Sequence, residues 1–176
     1  MQSLRSVPRL TPGRAISGAF GLVLAVGTFL LSLPIAVQGR SATFMEALFT
    51  ATSALCVTGH IVVDTPVFWS PFGQGVILVL IQIGGFGVMS IATLLGLLVA
   101  RRLGLRTRLT AVSETHMVAV GDVRRVLLGV AVITMTTQAV VALVLFLRFW
   151  LGYAEEPGRA VWLGVFHAVS AFNNAG

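Results

Sequence analysis

The sequence predicts an all-α polytopic membrane protein. Its repeated unit is span, short re-entrant helix, loop, span, with one unit complete and a second cut off in its loop. Three observations carry this reading. Of 176 residues, 56% are hydrophobic and only 10% charged, where a soluble domain carries about 25% charged residues. Three apolar runs are long enough to cross a bilayer. Two shorter apolar stretches match each other in sequence and in position along the chain.

The elements follow in order. Residues 1–15 form a polar N-terminus. The first pore-type unit covers 16–100, with spans at about 16–37 and 75–100. A loop follows at 101–125. Residues 126–176 form part of a second unit, with its span at about 126–151. Each run meets the roughly 20 apolar residues that a spanning helix needs. The first is too long for a cleaved signal peptide, and no small-residue cleavage site follows it. Pro34 lies near its outer end, where lost helical bonding matters least. Asp122 stands where it would N-cap the third span.

Charge orients the chain. The net charge is +6 and every basic residue is arginine. Arg5, Arg9, Arg14, Arg101, Arg102, Arg106, Arg108, Arg124 and Arg125 fall on one side of the spans, and Arg40, Arg148 and Arg159 on or near the other. The arginine-rich side is cytoplasmic, so the N-terminus and the 101–125 loop face the cytosol of a cell-membrane protein. Arginines beside apolar runs read as juxtamembrane charge that meets anionic lipid, not as a nucleic-acid surface. One cysteine, Cys56, excludes an intrachain disulfide and the usual multi-cysteine zinc sites.

The short stretches lie at about 43–55 and 160–172, each about a dozen residues, the length of a buried or re-entrant helix. "TFME" at Thr43 to Glu46 reads as a capping box that starts the first. "FTATSALCVTG" (49–59) aligns without a gap on "FHAVSAFNNAG" (166–176). Phe49, Ala51, Ser53, Ala54 and Gly59 recur as Phe166, Ala168, Ser170, Ala171 and Gly176.

Irregular backbone at membrane depth survives only where protein buries it or it lines water. A short helix entering from outside brings the negative end of its dipole inward, and loop carbonyls can replace the water around a cation. Gly59 suits a position that needs positive φ. Neither loop holds a carboxylate, which favours a monovalent cation, potassium above all, over a divalent one; sodium stays open on this argument. No side-chain metal site, cofactor motif or catalytic set is visible, so no enzyme is expected.

"ALFTATSALCVTGHIVVDT", "FGQGVILVLIQIGGFGVM" and "FHAVSAFNNAG" together resemble the Trk/Ktr/HKT superfamily of potassium transporters, most of all the bacterial Ktr membrane subunit. The likeness runs from about Ile16 to Gly176. It implies four fused two-helix channel-like units around one pore, with a filter of backbone carbonyls and a glycine in each loop. On this resemblance Cys56, Val57, Thr58 and Gly59 form the first filter strand, and Asn173, Asn174, Ala175 and Gly176 the second. Glycine at position 59 matches the potassium-selective pattern, and serine there tends toward sodium. The resemblance also implies a homodimer of membrane subunits on a cytosolic nucleotide-binding ring.

The sequence stops at Gly176, inside the second filter strand, so the chain reads as a fragment that does not conduct alone. The rival readings are a non-conducting truncated membrane scaffold and a two-helix potassium channel unit. The latter is disfavoured by the lack of a T-V-G-Y-G-like loop. Among single residues, Cys56 is expected to be a small buried filter residue. His60 is an exposed loop residue or a tuner of cation entry. Asp64 either draws cations to the mouth or caps the turn before Pro66. His116 carries no distinct signal, and Ser113, Glu114 and Thr115 suggest a solvated connector. His167 is expected to pack, or to make a hydrogen bond, on the second short helix. Gly84, Gly85, Gly87 and Ser90 form a small face for close helix approach.

Overall fold

The computed structural model describes residues 12–107, 120–153 and 156–175. Six helices run in order: α1 (Pro12–Leu31), α2 (Phe44–Leu55), α3 (Thr65–Phe68), α4 (Pro71–Thr107), α5 (Val120–Tyr153) and α6 (Pro157–Phe172), with a 3₁₀ turn at Pro34–Ala36. The described regular structure is helical throughout, apart from one isolated bridge between Val37 and Trp69. Two stretches are long and apolar enough to cross a membrane: Pro71–Thr93 in α4 and Arg124–Tyr153 in α5. The chain divides into two compact units. The first takes residues up to Thr52 and Ile61–Leu80; the second takes Ser53–His60 and the chain from Ile81 onward.

The first unit shows where the first predicted span ends. Helix α1 stops at Leu31, short of the expected Val37. Pro34 disfavours helical backbone at the residue before it, and Leu33 is accordingly extended (φ −71°, ψ 143°). Ser32 closes the helix, its hydroxyl donating to the Thr28 carbonyl at 2.8 Å. The apolar part of this helix, Ile16–Leu31, is shorter than either spanning stretch. Beyond it, Ser70 N–H donates to the Ala36 carbonyl at 2.9 Å and Gln38 N–H to the Phe68 carbonyl at 2.8 Å. Trp69 between them is fully buried, with Leu31, Ala36, Ala47 and Ala51 among the core residues of this unit.

Helix α2 starts as its capping box requires. Glu46 N–H donates to Thr43 Oγ1 at 3.3 Å, and Thr43 N–H donates to Glu46 Oε2 at 2.8 Å. Arg40 adds a bidentate pair, with Nη1 2.9 Å and Nη2 2.5 Å from the two carboxylate oxygens, and its guanidinium lies 4.8 Å from the Phe68 ring centroid. These bonds hold the Glu46 carboxylate down at about 2, Arg40 contributing most and the Thr43 backbone next. The same contact raises the Arg40 guanidinium. Asp64 occupies the N-cap position of α3 without a side-chain cap bond, with Pro66 in the first turn. It is exposed.

In the second unit, α4 and α5 outrun their predicted spans. Leu and Arg are good helix formers, and "ARRLGLRT" continues α4 to Thr107, so Arg101, Arg102 and Arg106 are helical, not in a loop. The described part of α5 begins at Val120, so Asp122 lies within the helix and is not its N-cap. Arg5, Arg9, Arg108, Ser113, Glu114, Thr115, His116 and Gly176 lie outside the described residues. Helices α5 and α6 pack closely: a Cβ on Gly164 would lie 2.8 Å from the Ala142 carbonyl oxygen.

Candidate functional site

The two short helices end in the same turn. After α2, Val57 N–H donates to the Ala54 carbonyl at 3.3 Å and Thr58 N–H to the Ser53 carbonyl at 3.0 Å. After α6, Asn174 N–H donates to the Ala171 carbonyl at 3.1 Å and Ala175 N–H to the Ser170 carbonyl at 2.8 Å. The matched residues are those that the sequence alignment pairs. Val57 and Asn174, also paired, are the two described non-glycine residues with positive φ, at 58° and 55°. A left-handed conformation is ordinary for asparagine but an outlier for a β-branched valine. Gly59 has φ 72°, which glycine adopts without penalty. Thr58 between Val57 and Gly59 keeps an ordinary φ.

The loops are anchored by different means. In the first, Ser53 Oγ donates to the His60 carbonyl at 2.7 Å, and Thr58 Oγ1 donates to Ser53 Oγ at 3.2 Å. In the second, Asn173 Nδ2 donates to the Val169 carbonyl at 2.9 Å and to Gln82 Oε1 at 3.3 Å. Gln138 Nε2 donates to the same Gln82 oxygen at 3.0 Å. Asn173 is 3% exposed and Gln138 5%, while Gln82 between them is half-buried, so a partly buried amide network joins α4, α5 and the end of α6. Asn173 Oδ1, Ser170 Oγ and Ser90 Oγ are buried without a hydrogen-bond partner among the described residues.

Two glycines of α4 make room for both loops. A Cβ on Gly84 would collide with the Leu55 carbonyl oxygen, the last of α2, and one on Gly85 would collide with Asn173 Oδ1. The small face expected from sequence therefore packs on both loops at Gly84 and Gly85, while Gly87 has open space beside it.

Of the eight residues expected at the site, seven are described. Val57, Thr58, Gly59, Asn173, Asn174 and Ala175 stand in or beside the two turns. Cys56 differs from expectation: it is exposed. The chain turns directly after α2, and the neighbouring Leu55, which lies against Gly84 of α4, is the buried residue at 1% exposure. His60 is exposed. His167 is exposed and makes the hydrogen bond that was the alternative to packing: its Nδ1 lies 2.8 Å from the Leu163 carbonyl, which can only accept, and its ring is 5.6 Å from Phe149. Sequence reading gave no role to Gln82, although it opens the Q-x-G-G-x-G motif at 82–87, and missed Gln138. The signal was there, since each is a polar side chain inside an apolar span, where such residues are costly. Among the described residues no three His, Cys, Asp or Glu side chains gather as metal ligands.

An all-helical described chain with two helices long and apolar enough to cross a membrane fits the class of α-helical membrane proteins. The family profile for TrkH, a cation transport protein, matches residues 18–176, and the chain belongs to that family. It is 36% identical over 168 residues to the Ktr system potassium uptake protein B of Bacillus subtilis, covering 96% of this chain and 37% of that protein. It is 33% identical over 169 residues to the potassium/sodium uptake protein NtpJ of Enterococcus hirae, covering 96% and 37%. To the Ktr system potassium uptake protein B of Vibrio alginolyticus it is 35% identical over 164 residues, covering 93% and 35%. The chain thus spans little more than a third of the length of these curated relatives.

Proposed function

We propose that this chain belongs to a potassium uptake protein of the cell membrane and supplies two strands of its selectivity filter. Carbonyls of Cys56 to Gly59 and of Asn173 to Gly176 would replace the hydration shell of the ion. Helices α2 and α6 act as re-entrant pore helices whose C-terminal dipoles favour a cation at their ends. The observation that carries the reading is the shared turn: paired hydrogen bonds and paired positive φ at Val57 and Asn174. It gives two sequence repeats one backbone geometry, as strands converging on one axis require. In this reading the arginine distribution favours a cytoplasmic N-terminus, and the protein works as a homodimer on a cytosolic nucleotide-binding ring, a part of the proposal that rests on the family resemblance alone.

The test is growth at limiting potassium of a bacterial strain that lacks its own potassium uptake, transformed with a full-length gene whose product contains this sequence. Rescue is the expected result; no rescue with the protein present in the membrane would sink the proposal. Gly59→Ser should lower the potassium-over-sodium uptake ratio by about tenfold. A side chain at φ 72° strains the backbone that aims the carbonyls, by about 1–2 kcal/mol, where 1.4 kcal/mol is a factor of ten.

A further inference from the structure

We infer that Gln82 and Gln138 are positioning residues for the second loop and set its ion selectivity without touching the ion. The inference rests on the filter reading above. Asn173 opens the second candidate strand, directly after α6. Its buried carboxamide is fixed from two sides: to its own helix at Val169 and to α4 at Gln82. Gln82 Oε1 is the shared acceptor, and Gln138 from α5 supplies its second donor. Gly85 admits Asn173 against α4, because any side chain there would meet the carboxamide. The strand therefore starts at a point set jointly by both spanning helices.

Such a device suits a selectivity role. A carbonyl ring discriminates ions only if its strands keep their separation. The first loop is braced by Ser53 and Thr58 within its own turn. The second takes its brace from Gln82, 91 positions away in sequence. Breaking the hub takes the Gln82 acceptor from the buried Gln138 amide and leaves Asn173 held only at Val169, a loss that is costly at a buried site. The start of the strand would then shift to find new ones.

The experiment measures potassium and sodium uptake by the full-length protein and its Gln82→Leu, Gln82→Glu and Gln138→Leu variants at matched membrane levels. Gln82→Leu removes the shared acceptor and should lower the potassium-over-sodium ratio at least about fivefold while uptake of one or both ions persists. Gln138→Leu removes one donor and should lower the ratio about two- to threefold. Gln82→Glu keeps an acceptor oxygen at the hub, whether protonated or not, and should hold the ratio within about twofold of the parent. A fall in uptake rate at an unchanged ratio, in both leucine variants, would overturn the inference, as would a Gln82→Glu variant as unselective as Gln82→Leu. If Gln82→Leu does not accumulate, Gln138→Leu decides on the same criteria. A parent protein that moves no potassium defeats the filter reading itself; a selective parent with equally selective leucine variants defeats only the role of Gln82 and Gln138.

Discussion

The two loops end in one backbone turn yet are held in place by different residues. The first loop braces itself: Ser53 reaches the His60 carbonyl, and Thr58 reaches back to Ser53. The second is braced from outside, through Asn173 to Gln82 on α4 and from there to Gln138 on α5. A repeat can thus conserve its hydrogen-bonded turn and exchange the source of its support. The consequence is a difference in reach. A change in the first loop acts through neighbours in sequence, whereas the second answers to residues on distant helices.

The largest expected effect comes from the two glycines that serve the two loops. Gly84→Ala drives a methyl group into the Leu55 carbonyl, and backbone cannot step aside without moving the end of α2. Destabilisation of about 3 kcal/mol is expected, the upper end for overpacking. Gly85→Ala meets the Asn173 carboxamide, a side chain that can rotate at the cost of its bond to Gln82. About 1–2 kcal/mol is expected there. Unfolding of the purified protein in detergent would rank the two; equal effects, or Gly85→Ala the worse, would break the contrast between backbone and side-chain support.

Much of this arrangement was legible in the sequence, and what was not has physical reasons. The capping box at Thr43 and Glu46 is local, so three residues suffice to read it. The paired loops showed through Phe, Ala, Ser and Gly at identical spacing, and the small face at Gly84 and Gly85 through residue size alone. The amide hub was hidden because its members stand 56 and 91 positions apart, and no local pattern announces a pairing at such range. The end of α1 was misplaced because the steric reach of Pro34 acts on the residues before it. Cys56 was expected buried from its apolar setting, but it stands exposed in the turn while the neighbouring Leu55 lies against Gly84.

A smaller effect separates the residues at the two positive-φ positions. Val57 holds φ 58° against its β-branched side chain, a strain of about 1–2 kcal/mol. Val57→Gly relieves it and gives back about 0.5–1 kcal/mol through the freer unfolded chain. The expected net gain is about 0.5–1 kcal/mol in unfolding free energy. Asn174 holds φ 55° with a side chain that tolerates this region, so Asn174→Gly should change stability by less than about 0.5 kcal/mol. Should Val57→Gly destabilise the protein, the valine side chain contributes packing that outweighs its backbone strain.

The smallest effect concerns how the two short helices begin. Helix α2 starts at the Thr43–Glu46 box clipped by Arg40, while α6 starts on Pro157 with Glu156 as N-cap and no side-chain cap bond. The Glu46 carboxylate sits at about 2 in the folded protein, below its ordinary value of 4.5. Because the folded state binds the ionised form better, the stabilisation is complete above about 4.5. It is lost as pH falls through the window from 4.5 to about 2. The carboxylate is solvent-accessible, so the size is modest and shrinks with added salt. Protection of the amides in the first turn of α2, relative to their intrinsic exchange rates at each pH, should therefore fall across that window in the parent and change less in Glu46→Gln. Proline at the start of α6 pre-sets its first turn, and protection there should not follow the Glu46 substitution. Identical acid responses of α2 in parent and variant would mean that the arginine clip closes on a helix already held by its packing.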